Sequence, residues 1–130
     1  MHVKRSLIGL AAVATVLTGC ASADESEHSF ADVAAVRQAN DGPAGWVPPW
    51  LPESTTDIKV KFNLDTNVSI ITGKLGGAPL PEQACKPAAE TATPKVTADW
   101  WPNPLPQSTT YHCGDFFAVA DGDQVYAWQG

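Results

Sequence analysis

Hydrophobic and polar residues alternate most clearly from Asp57 to Asn63, where Ile58, Val60 and Phe62 share one face and Lys59 and Lys61 the other. That period predicts a strand. Asp65-Thr66-Asn67 reads as a turn, and Val68-Ser-Ile-Ile-Thr72 is a second β-branched run, so the two runs form a hairpin. A second hairpin is written near the end of the chain. Phe116 to Ala120 is one strand, Asp121-Gly122-Asp123 the turn, and Gln124 to Trp128 the return. One hairpin alone is marginal in water, but two that share an apolar face can hold together. The expectation is therefore mainly β: a small four-stranded antiparallel sheet made of two pseudo-repeated hairpins. Residues 30–37 place Phe30, Val33 and Val36 on one helical face. Two turns are too short to persist unaided, so an α+β arrangement stays open if residues 30–38 dock as a helix.

The segments that lead into the hairpins repeat. Residues 46–56 read Trp-Val-Pro-Pro-Trp-Leu-Pro-Glu-Ser-Thr-Thr, and residues 100–110 read Trp-Trp-Pro-Asn-Pro-Leu-Pro-Gln-Ser-Thr-Thr; seven of eleven positions agree at an offset of 54. Two copies are too few for a solenoid. A pseudo-twofold pair within one domain fits them, with Trp46 and Trp100 in equivalent places. Between the halves, Pro81 to Lys86 reads as one helical turn with Pro at its first position, and residues 87–99 as a surface loop.

The N-terminal apolar run, Leu7 to Leu17, follows Lys4 and Arg5 and is followed by Leu17-Thr18-Gly19-Cys20. It is about half the length that spans a bilayer and has the proportions of a signal h-region, a short signal helix. Charge, apolar run and terminal Leu-x-Gly-Cys together resemble a bacterial lipoprotein signal. The resemblance implies a diacylglyceryl thioether on Cys20, cleavage before it, and a mature chain held on the extracytoplasmic face of the cell membrane. An ordinary secretory signal is the alternative, and it would release the protein. The expected organisation is a signal peptide over 1–19, the lipidated Cys20 and a flexible tether over 20–45, and one small β-rich domain over 46–130. Ala, Ser, Asp, Glu and Gly dominate the tether, and Gly42-Pro43-Ala44-Gly45 interrupts it.

Three cysteines are an odd number. With Cys20 assigned to lipid, Cys85 and Cys113 remain, and the space outside the membrane permits their pairing. Two separate buried thiols are the alternative reading. No Cys-x-x-Cys or second His stands by Cys85, so no metal site is expected. A marginal core gains from such a cross-link.

Charge narrows the partners. The chain carries 14 Asp and Glu against 8 Lys and Arg, and the part from Cys20 onward keeps only six of the basic residues, for a net charge of −8. Such a chain is a poor nucleic-acid binder, so none is expected, and anionic head groups would repel it. Five Trp lie beyond residue 45. Trp46, Trp50, Trp100 and Trp101, beside prolines, either line a groove for a protein, peptide or glycan partner or form the core of a sheet short of helices. Ser54-Thr55-Thr56 and Ser108-Thr109-Thr110 precede strands and read as turn caps. His112 with Asp115 matches no nucleophile elbow, and Asp121-Gly-Asp123 lacks the rest of a calcium loop.

The segments Trp46 to Pro52, Cys85, Trp100 to Pro106, Tyr111-His-Cys113 and Tyr126-Ala-Trp128 resemble, in that order, those of small bacterial lipoproteins. That resemblance spans most of 46–130 and brings no activity or ligand with it. The expectation is a lipid-anchored envelope protein whose domain is a non-catalytic binding or interaction module. No catalytic residue, cofactor or metal is expected. A small secreted hydrolase is the alternative, and it would need His112 or a carboxylate pair held in a cleft.

Overall fold

The computed structural model describes residues 24–39 and 42–130. The signal segment 1–19, its helix and Cys20 lie outside the described residues. Among the described residues, seven strands form one antiparallel sheet: β1 (Glu25–Asp32), β2 (Thr56–Asn63), β3 (Val68–Lys74), β4 (Cys85–Pro87), β5 (Thr110–Cys113), β6 (Phe116–Asp121) and β7 (Gln124–Trp128), in the spatial order β1-β2-β3-β7-β6-β5-β4. A short helix, α1 (Val33–Ala39), and a 3-10 turn (Gly42–Trp46) join β1 to the first lead-in segment.

Both expected hairpins, β2–β3 and β6–β7, are present and meet at the centre of the sheet, where β3 pairs with β7. The register there respects the sequence repeat. Ile70 faces Trp128 and Lys74 faces Gln124, so the pairing is symmetric about Thr72 and Tyr126, which are themselves 54 residues apart. The β2–β3 turn is closed by Asn63, whose side chain accepts from the backbone N–H groups of Asp65 and Thr66.

The expected count of four strands is corrected to seven. Strand β1 lies in the stretch expected to be tether. Its sequence, Glu-Ser-Glu-His-Ser-Phe-Ala-Asp, has one large apolar residue and no alternation to betray a strand. It is an edge strand with a single neighbour, and it pairs with β2 from Glu25↔Asn63 to Asp32↔Thr56, seating Phe30 opposite Ile58. Phe30 is therefore in a strand, not on the helix face expected. The sheet begins at Glu25, well ahead of Trp46. Asp32 ends the strand and caps α1, its carboxylate accepting from the Ala35 N–H at 2.8 Å. Strand β5 arises because the second copy departs from the first, and β4 is the part of the connector from Cys85 that pairs with it, in place of the helical turn expected over 81–86. Gly114-Asp115, with Gly114 at φ 61°, falls where the first copy has Val60-Lys61, and it splits one long strand into β5 and β6. Cys85 then stands directly opposite Cys113 across β4 and β5 and is bonded to it, with Cα atoms 4.1 Å apart. The pairing expected from parity is present.

The two faces of the sheet carry separate cores. On one, Ile58, Val60, Ile71, Ala118, Val125 and Ala127 pack with Val33, Val47, Leu51 and Leu75. On the other, Ile70, Val119 and Trp128 pack with Val96 and Trp101. The first lead-in segment thus covers one face and the second covers the opposite face. A dyad through the Thr72–Tyr126 pair stands perpendicular to the sheet and preserves its faces, so the expected equivalence of Trp46 and Trp100 is overturned. The repeat governs the central strands and stops there.

Candidate binding site

The four candidate tryptophans fall into two pairs on opposite faces. Trp46 is partly buried and stacks flat on Phe62, with ring centroids 4.1 Å apart, and its edge meets His28. Trp50 meets Phe116 edge-on, and its indole N–H is buried without a partner among the described residues. Both belong to the first core. Trp101 is buried in the second, edge-on to Trp100, Tyr126 and Trp128. Trp100 is half-buried and donates to the Glu27 carboxylate on β1. The structure brings no single four-tryptophan groove together. Most of this aromatic area serves packing.

The repeated hydroxyls also diverge. Ser54 donates to the Leu75 carbonyl and anchors the end of β3. Thr55 is fully buried, and its hydroxyl has no partner among the described residues. Ser108 and Thr109 are exposed. Asp123 forms its turn and also braces a neighbouring loop. Its carboxylate accepts from the N–H groups of Gly76 and Gly77, tying the chain after β3 to the β6–β7 turn. Gly76 and Gly77 hold φ of 70° and 86°, which suits glycine.

Two of the clefts among the described residues adjoin the lead-in segments. One, of about 440 Å³, lies under the connector that crosses the second face. Ala92, Pro94, Val96, Trp101, Pro104, Leu105, Val119 and Trp128 line it. The connector is strapped down at three places. Trp128 donates to the Ala92 carbonyl at 2.7 Å, Lys61 to the Thr97 carbonyl at 2.8 Å, and Trp100 to Glu27. Prolines stiffen this wall and aromatic rings form the floor, a composition suited to an apolar or proline-bearing side chain. The other cleft, of about 420 Å³, lies between α1, the 3-10 turn and residues 47–51, lined by Val33, Val36, Arg37, Ala44, Val47 and Leu51. Arg37 at its rim bonds Glu53, and that guanidinium holds the Glu53 carboxyl below its ordinary value.

His112 is exposed and stacks on Phe117 with centroids 5.0 Å apart, outside either cleft. The arrangement nearest to a nucleophile and base is one that sequence reasoning misses, because His28 falls in the expected tether. Ser26 and His28 share a hydrogen bond of 2.8 Å between Oγ and Nε2. The i, i+2 spacing on a strand puts them on one face, a signal readable only once β1 is known. Among the described residues no group of three His, Cys, Asp or Glu is placed to hold a metal ion, and no helix is long and apolar enough to cross a membrane.

Comparison with known proteins adds one likeness. No curated protein matches the chain, and no solved structure matches it. A family model for the YbbD head domain matches residues 24–72. That span starts where the described sheet starts and takes in β1, α1, β2 and most of β3, so in its first three strands the chain is similar to a small bacterial domain.

Proposed function

We propose that the protein is a lipid-anchored envelope lipoprotein whose sheet domain binds a partner and does no chemistry. One observation carries the anchor. Cys85 and Cys113 are bonded to each other, which leaves Cys20 as the one remaining cysteine, at the end of Leu17-Thr-Gly-Cys20. Two acyl chains, at about 0.8 kcal/mol per buried CH₂, hold a protein durably to a membrane. The partner is a protein, peptide or glycan offering an apolar or proline-rich element to the cleft floored by Trp101. Growth with an alkyne fatty acid should label the wild type, and Cys20→Ser should abolish the label and release the protein from membranes. An unlabelled wild type defeats the reading. For the cleft, Leu105→Arg should abolish capture of a membrane partner by the anchored protein while leaving its melting temperature close to wild type.

The hydrolase reading draws on the Ser26–His28 hydrogen bond alone. A fluorophosphonate probe tests it: labelling of the wild type, absent in Ser26→Ala, would favour it over the binding module.

A further inference from the structure

Leu64 is the large hydrophobic side chain that stands exposed among the described residues, at 58 %. A lone exposed leucine would need no account. Its position supplies one. Leu64 sits in the β2–β3 turn, and its N–H donates to the Asp24 carbonyl at 2.7 Å. Asp24 is four residues after Cys20. Four residues of extended chain reach at most about 14 Å, whereas the seven residues of β3 alone run for about 24 Å. Once the sheet is known to start at Glu25, no long tether remains to lift it.

We infer that in the anchored protein the β2–β3 turn rests on the bilayer, with Leu64 in the head-group region, and that the end bearing Gly76, Gly77 and Asp121 points away from the membrane. The inference rests on the lipid anchor at Cys20 and adds an orientation to it. The partner is a lipid surface, and its charge is constrained. Asp24, Glu25, Asp65 and Asp115 lie at the same end of the sheet, since Glu25 pairs with Asn63, Asp65 is in the turn, and Asp115 precedes Phe116. Lys61 pairs with Glu25 at 3.7 Å. An uncharged, zwitterionic surface accepts this end, and an anionic one repels it.

The test uses the full-length lipoprotein, purified from membranes and reconstituted in phosphatidylcholine vesicles. Leu64→Cys and Asp121→Cys variants each carry an environment-sensitive fluorophore, with the bonded Cys85–Cys113 peptide pair checked by mass spectrometry. Emission from position 64 should shift to the blue and be quenched by nitroxide-labelled lipid, and emission from position 121 should do neither. Thr66→Cys, in the same turn, gives the same readout if Leu64→Cys does not fold. Equal responses at the two ends, or the stronger one at 121, overturn the inference. A wild type that carries no diacylglyceryl removes the anchor and the inference with it. A lipidated protein with position 64 in water refutes the orientation alone and leaves the anchor standing.

Discussion

Replacing Cys85 and Cys113 by alanine removes the covalent link between β4 and β5 and little else. Cys113 is fully buried and Cys85 nearly so, so alanine avoids the unpaired hydroxyl that serine would bury. The residues are 28 apart. The chain-entropy relation for a loop of that size gives about 3.6 kcal/mol of stability from restriction of the unfolded state. The chain from Asp24 to Gly130 has 107 residues. At about 2.1 cal/mol/K per residue its unfolding entropy is about 0.22 kcal/mol/K, so the loss corresponds to a fall in Tm of about 16 °C. Thermal unfolding followed by near-ultraviolet circular dichroism, with five tryptophans as reporters, measures it. Cys85→Ala, Cys113→Ala and the double variant should fall by nearly the same amount, because either single change already breaks the bond. Wild type unfolded and refolded with reductant should match them. Single losses that add in the double variant, or a double variant within about 4 °C of wild type, would mean that the bond does not stabilise the fold in this way.

Other variants probe the packing. Gly73→Ala should destabilise by about 1–3 kcal/mol in a denaturant titration, because its Cβ would lie 2.8 Å from the Thr55 methyl. Thr55→Val should leave stability unchanged or raise it, since the hydroxyl it removes is buried and unpartnered; a clear loss would mean that the hydroxyl is bonded. Glu53 is held below its ordinary value of 4.5 by Arg37, so the pair contributes above that pH and the contribution is lost as pH falls through the lower, folded-state value. Comparing Glu53→Gln with wild type across that range should show a small, salt-screened difference that disappears in acid.

The two hairpins are legible in the sequence because Ile58-x-Val60-x-Phe62 and the Asp121-Gly122-Asp123 turn carry their structure locally. The Cys85–Cys113 bond is legible from parity, and the structure adds only that the two stand opposite each other on adjacent strands. Strand β1 is not, because an edge strand with one neighbour needs neither alternation nor β-branched residues; β2 supplies its hydrogen bonds. The split between β5 and β6 is written in Gly114-Asp115, but the strength of the flanking repeat conceals it. Repeat identity also misleads on the tryptophans. Trp46-x-Pro and Trp100-Trp-Pro look alike, yet the chain enters β2 and β5 on opposite faces, and local sequence does not state which face a segment will cover. The cleft under residues 91–106 is illegible for the same reason. Its wall is a connector with no period, held by Trp128, Lys61 and Glu27 from strands far along the chain.

A lipid anchor at Cys20 is tested by intact-mass and N-terminal peptide mass spectrometry of the protein purified from membranes. The mature chain should begin at Cys20, carry a diacylglyceryl group on that residue, and contain one disulfide between Cys85 and Cys113. A mature chain that begins elsewhere, or an unmodified thiol at Cys20, would contradict the anchor.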